Sequence, residues 1–191
     1  NLVHDYSGEE EYLNSCMEYM EDKIQSLMYQ IVHYIQSEER NTTIWKELED
    51  IKVQAEKYIH IAMEYQDNTF SSLPDYYIRY FEMRALQCDI LHMLHYKIRK
   101  IRKMPEEANE LAEYIQYLIP FIHEQNNPQQ QITSLHQMLK DKQNADLPAT
   151  RLEFESRAML LHIYMDLEEF LYTKKKFIDQ TTEEQKKLYW R

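Results

Sequence analysis

A single glycine, Gly8, in 191 residues leaves this chain almost no residue that tolerates positive φ without strain. Average usage of about 7% would supply about 13. Tight hairpins need such residues, and so do nucleotide loops, where backbone approaches phosphate at several glycines. A P-loop and a dinucleotide fingerprint are therefore excluded, and the chain reads as all-α.

The formal net charge of −11 with pI near 5.2 opposes nucleic-acid binding, which depends on Lys and Arg displacing counterions. Cys16 and Cys88 are too few for a disulfide framework and fit a reducing compartment, as two core thiols. The longest apolar stretch, 158–165, is interrupted by His162 and falls far short of the roughly 20 residues that span a bilayer. The opening Asn1-Leu2-Val3-His4-Asp5 is not basic, so no signal peptide is expected. It also lacks Met, and the chain is read as a fragment of something longer. A length of 191 residues fits one domain over 1–191.

Apolar residues at three- and four-residue spacing mark the helices. Leu13, Cys16, Met20, Ile24, Leu27, Ile31 and Ile35 predict a helix over 9–38, with Ser7 and Glu10 as a capping box. Ile44, Leu48, Ile51, Ala55, Tyr58, Ala62 and Tyr65 predict a second, ending near 66 and forming an antiparallel hairpin with the first. Pro74 starts a third, reaching about 102, and Pro105 opens a fourth that Pro120 should kink. Asn127-Pro128 caps a short fifth to about 140, 143–149 is a mobile loop, and Thr150-Arg151-Leu152-Glu153 is a capping box starting a last helix to about 180. The residues after it read as a tail. The expected fold is an antiparallel bundle of four long helices plus a shorter helical element.

Few constellations carry chemistry. His92-x-x-His95 puts two imidazoles on one helix face, but the Glu-x-x-His repeats of di-iron bundles are absent, as is His-Glu-x-x-His. No metal, cofactor or catalytic residue is expected. The 16 tyrosines, with Tyr76, Tyr77 and Tyr80 opening the third helix and Tyr114 and Tyr117 on the fourth, suit the margin of a core. The basic runs Lys97, Arg99, Lys100, Arg102, Lys103 and Lys174-Lys175-Lys176 suit helix C-termini, with anionic lipid headgroups as the rival partner. Arg84 lies in phase with Tyr77, Phe81, Cys88 and Leu91, and Arg157 between Phe154 and Leu161. Both are expected inside the bundle, paired with Glu155, Asp166 or Asp89. The functional reading of the same residues is an aromatic carboxylate held between the third and last helices by Arg84 and Arg157, with Tyr80 on its ring.

The pattern Arg151-x-Glu153-Phe154-Glu155-x-Arg157-Ala158-x-Leu160, with Asp166-Leu167-Glu168-x-Phe170-Leu171 after it, resembles the C-terminal domain of the aromatic acid exporter family. Tyr76-Tyr77-x-x-Tyr80-x-x-Met83-Arg84-x-x-Gln87 resembles the same family's second recurrent stretch. In that family a multi-helix membrane domain precedes a soluble helical domain on the cytoplasmic side, mostly in Gram-positive bacteria. The resemblance implies a regulatory or assembly domain at the cytoplasmic face of the bacterial cell membrane. Its partners would be the membrane domain of the same polypeptide and further copies in a homo-oligomer. The alternative is a freestanding helical ligand-binding or adaptor protein.

Overall fold

The computed structural model describes residues 7–37, 39 and 43–190, the side chain of Ser7 excepted. The expected Ser7 capping box therefore lies outside the described residues. All regular structure among them is helical: α1 Ser7–Ser37, α2 Thr43–Asp67, α3 Asp75–Lys100, α4 Ala108–Leu118, α5 Gln129–Lys142, α6 Arg151–Gln180 and α7 Glu183–Tyr189, with a 3-10 turn at Ile119–Phe121.

Helix directions follow from which side chains meet. Numbers rise together along α1 and α3, where Tyr77 meets Asn14, Tyr80 meets Met17 and Arg84 meets Glu21. They run oppositely between α1 and α2 (Glu10 with Tyr65, Tyr19 with Tyr58) and between α2 and α3 (Tyr58 with Phe81, Lys52 with Asp89, Trp45 with His92). The same holds for α3 and α6, through Gln87 with Phe170 and Lys97 with Asp166. The long helices thus alternate up, down, up, down. The short α4 packs against α1 and touches α6, closing the side that the long helices leave open.

The periodic residues form the core. Met20, Ile24, Met28 and Ile31 of α1, Ala55 and Ala62 of α2 and Leu94 of α3 are fully buried, each large side chain contributing about 1.5–3 kcal/mol relative to exposure. Cys16 and Cys88 are free and buried among them, and burial pushes the Cys88 thiol up to about 12. Tyr76, Tyr77 and Tyr80 lie in the centre rather than at its margin, at 0%, 1% and 0% exposure. Burial at that depth is tolerable because each hydroxyl finds a partner, in Glu124, Asn14 and the Met17 carbonyl respectively.

Three connections depart from expectation. Pro120 ends α4 instead of kinking it, and the chain continues as a 3-10 turn with the proline in its first positions. A proline there has no N–H to continue the ladder and crowds the preceding turn. Pro105 lies in a turn that ends with the Ala108 N–H donating to its carbonyl at 3.0 Å, so α4 starts three residues later than expected. The segment read as a tail folds into α7, started by a capping box in which Thr182 accepts from the Gln185 backbone and the Gln185 side chain accepts from the Thr182 backbone. Tyr189 of α7 stacks on Tyr76 with ring centroids 4.9 Å apart. Of the capping box expected at α6 only the Thr150 half forms, accepting from the Glu153 N–H at 3.1 Å, because the Glu153 side chain accepts instead from the Ala149 N–H at 2.8 Å.

Candidate functional site

Arg84 is 1% exposed. Its Nε donates to the Tyr80 hydroxyl at 2.9 Å, one terminal nitrogen donates to Gln87 Oε1 at 2.8 Å, and the other meets Glu21 at 3.4 Å. Gln87 in turn donates to the Phe170 carbonyl at 3.0 Å, which ties α3 to α6. Lys174 of α6, 4% exposed, donates to the carbonyls of His123 and Asn126 at 2.7 and 2.9 Å. Glu124 accepts from the Tyr76 hydroxyl, and that hydroxyl accepts from Trp190 Nε1 at 2.9 Å. Two cations and two carboxylates thus share one interior region. Burial pushes the carboxyls of Glu21 and Glu124 above the usual range against the pull of Arg84 and Lys174. Burial likewise drives the Lys174 ammonium well below its ordinary value. Each nitrogen of Arg84 and the Lys174 ammonium is engaged by the protein itself, and Tyr80 and Arg84 are so fully buried that a ligand would reach them only if the helices parted.

The acids expected for the arginines are elsewhere. Glu155 is exposed and pairs with Arg151 at 3.0 Å, Asp166 takes Lys97 at 2.8 Å, and Asp89 takes Lys52 at 2.7 Å. Gln87, about one turn beyond Arg84 on α3, meets Phe170, and Glu155 lies fifteen residues before Phe170 on α6, about 22 Å away along its axis. No side chain spans that gap. Glu21, Glu124 and Lys174 are the residues that sequence reasoning missed. For two of them the signal was phase: Glu21 follows Met17 by four and precedes Ile24 by three, and Lys174 stands likewise between Phe170 and Phe177, all four apolar neighbours being buried. Glu124, by contrast, lies in a turn outside the helices, where there is no phase to read. Lys174 was read as part of a basic run, but only Lys175 and Lys176 turn outward.

Arg157 is not inside the bundle. Its neighbours Phe154 and Leu161, taken as core, are 62% and 51% exposed, while Leu160, Ile163, Tyr164 and Leu167 are buried. The buried face of α6 is thus turned by about one residue from the expected one. Arg157 sits at its edge, meeting Glu107 at 3.2 Å and donating to the Asp146 carbonyl. There it lines a cleft between α5, α6 and the 143–148 segment, together with Lys142 and Tyr164. Replacing Arg157 with alanine is expected to cost less than about 1 kcal/mol in urea unfolding, because half-exposed ion pairs contribute little.

No group of three or more His, Cys, Asp or Glu among the described residues could hold a metal ion. His92 lies against Trp45 with ring centroids 3.6 Å apart, and His95 meets the edge of Tyr34 at 5.9 Å. No helix among the described residues is long and apolar enough to cross a membrane.

The uncharacterized protein YqjA of Bacillus subtilis (strain 168) is 28% identical over 158 residues, which make up 83% of this chain and 49% of that protein. The chain thus spans about half the length of the curated relative it matches. A solved structure, described as a putative membrane protein from Clostridium difficile 630, shares the fold with a TM-score of 0.76 at 19% identity, covering 87% of this chain and 97% of that one. The family model described as "Putative aromatic acid exporter C-terminal domain" matches residues 10–175. That match takes in α1 to α5 and most of α6, including Arg84, Glu21, Lys174 and Arg157, and the chain belongs to this exporter C-terminal-domain family.

Proposed function

We propose that this chain is the regulatory or assembly domain of an exporter-type membrane protein and works at the cytoplasmic face of the bacterial cell membrane. The observation that carries the reading is the family match over 10–175, joined to the half-length coverage of the Bacillus subtilis relative. The other half of such a protein would hold the membrane-spanning part and be this domain's partner. The interior supports a rigid body: Arg84, Gln87 and Lys174 pin α1, α3, α6 and the 122–127 segment to one another through hydrogen bonds and an ion pair. A rigid body can carry a position or an orientation to a neighbour. Arg99, Lys100, Arg102 and Lys103 stand exposed at the end of α3 and supply a basic patch for anionic headgroups.

The test is fractionation of the full-length gene product. It is expected in the membrane fraction, released by detergent, with export of an aromatic acid reduced when the segment corresponding to 10–175 is deleted. Recovery of the full-length product in soluble form without detergent would sink the proposal and favour a freestanding ligand-binding or adaptor protein.

A further inference from the structure

We infer that the cleft between α5, α6 and the 143–148 segment is a binding site for a monocarboxylate with an apolar body the size of an aromatic ring or a short acyl chain. The inference stands on the cleft alone, without the exporter reading. The cleft measures about 560 Å³, within the range of small-molecule sites. Leu139, Leu160 and Leu161 form an apolar wall, and Leu147 hangs at its mouth with 91% of its surface in water. A leucine that exposed gains from any apolar body seated beneath it.

The polar groups are few and convergent. Arg157 and Lys142 bring two cations to the same cleft. Lys142 Nζ also stands 5.4 Å from the centre of the Tyr164 ring, so that ring forms part of a cationic as well as an apolar surface. The Tyr164 hydroxyl is buried and has no hydrogen-bond partner, an arrangement that costs free energy unless an incoming group satisfies it. A carboxylate in the cleft accepts from the guanidinium and the ammonium, and reaches the Tyr164 hydroxyl, which has almost no exposed surface of its own, as the side chains over it move aside.

Both cations already have an acid: Glu107 at 3.2 Å from Arg157 and Glu110 at 2.6 Å from Lys142. These acids decide the affinity. Both are 42–49% exposed, so each can swing into water and be solvated there when a ligand displaces it. Asp146 also lines the cleft and opposes an anion. Arg157 spends one N–H on Glu107 through one terminal nitrogen and one on the Asp146 carbonyl through the other, which leaves Nε and a second N–H on each terminal nitrogen for a ligand.

The test is titration of the 191-residue chain with cinnamate, octanoate and uncharged cinnamyl alcohol, followed by calorimetry and amide NMR shifts. A carboxylate is expected to bind with Kd of about 0.1–1 mM, and the alcohol at least tenfold more weakly. Arg157→Gln should weaken binding about tenfold and Tyr164→Phe about threefold. Glu107→Gln should tighten it, because it removes the competing carboxylate. Since Arg157 and Glu107 are half-exposed, both variants should fold, which the helical signal verifies. The ratio of cinnamate to octanoate affinity tells an aromatic acid from a fatty acid. Three results overturn the inference: equal binding of the alcohol, binding indifferent to Arg157→Gln, or no shifts at several millimolar carboxylate in either the unaltered chain or Glu107→Gln.

Discussion

Arg84→Ala is expected to destabilise the fold by about 3–5 kcal/mol, read from urea unfolding at pH 7.5. Removing the guanidinium strands three groups at once: the Glu21 carboxylate, the Tyr80 hydroxyl and Gln87 Oε1. Tyr80 keeps a second contact, to the Met17 carbonyl at 3.4 Å, and Glu21 keeps a backbone hydrogen bond from Glu124, while Gln87 Oε1 is left with none. Glu21 is 13% exposed and cannot be solvated freely, so its charge is left in a region of low polarity with only the Lys174 ammonium, itself disfavoured by burial, to offset it. A double replacement separates this cause from lost packing. Breaking one side of a buried pair is costly, while removing both sides with groups of similar volume is often close to neutral. Arg84→Met with Glu21→Gln should therefore recover a large part of the loss caused by Arg84→Ala. A cost below about 0.5 kcal/mol for Arg84→Ala would show that the side chain is not held as described.

Lowering the pH from 7.5 to 5.0 should withdraw about 2 kcal/mol of stability through His95 alone. The ring is 1% exposed, neither of its nitrogens has a hydrogen-bond partner, and Arg99 and His92 stand near it on the same helix. Burial first, then those two neighbours, lower its pKa from the ordinary 6.5 to about 4. Between these values the unfolded chain binds a proton that the folded chain refuses. Stability is therefore complete above about pH 6.5, falls as pH drops below it, and reaches its full loss of about 3 kcal/mol below about pH 4. Glu21 and Glu124 act with the opposite sign, since their raised carboxyl pKa values favour the folded state as they take up protons. His95→Leu isolates the histidine: the difference between that variant and the unaltered chain should grow by about 2 kcal/mol from pH 7.5 to 5.0. An equal difference at both pH values would show that the ring titrates normally in the folded state.

The helices were legible because their evidence is local. A stripe such as Ile44, Leu48, Ile51, Ala55, Tyr58, Ala62 and Tyr65 depends only on the helical repeat, and all seven are buried in α2. The Thr150 cap and the Asn127 turn, in which Asn127 Oδ1 accepts from the Gln129 N–H at 3.1 Å, are equally local. The same reasoning had the means to find α7, because Thr182-x-x-Gln185 is as clear a capping-box pattern as Thr150-x-x-Glu153, and it is the one that closes fully. The site was less legible. Phase placed Arg84 on an apolar stripe, and the same criterion misjudged Arg157 by one residue, since a helix of 30 residues accommodates an apolar stripe in more than one rotation.

The sequence by itself determined the all-α class, the positions of the long helices, the exclusion of nucleotide loops and the family. These rest on glycine scarcity, on periodicity and on patterns readable along one helix at a time. Tertiary structure alone decided who pairs with whom. Glu21 and Arg84 are 63 residues apart and meet because α1 and α3 run side by side in the same direction, a relation that no spacing within either helix encodes. Which face of α6 turns inward is settled by α3, α4 and α5 packing on it together, and that rotation places Lys174 in the interior and Arg157 at the rim of a cleft. A charge's role is set by the dielectric around it and by the reach of its neighbours, and both are properties of the assembled bundle.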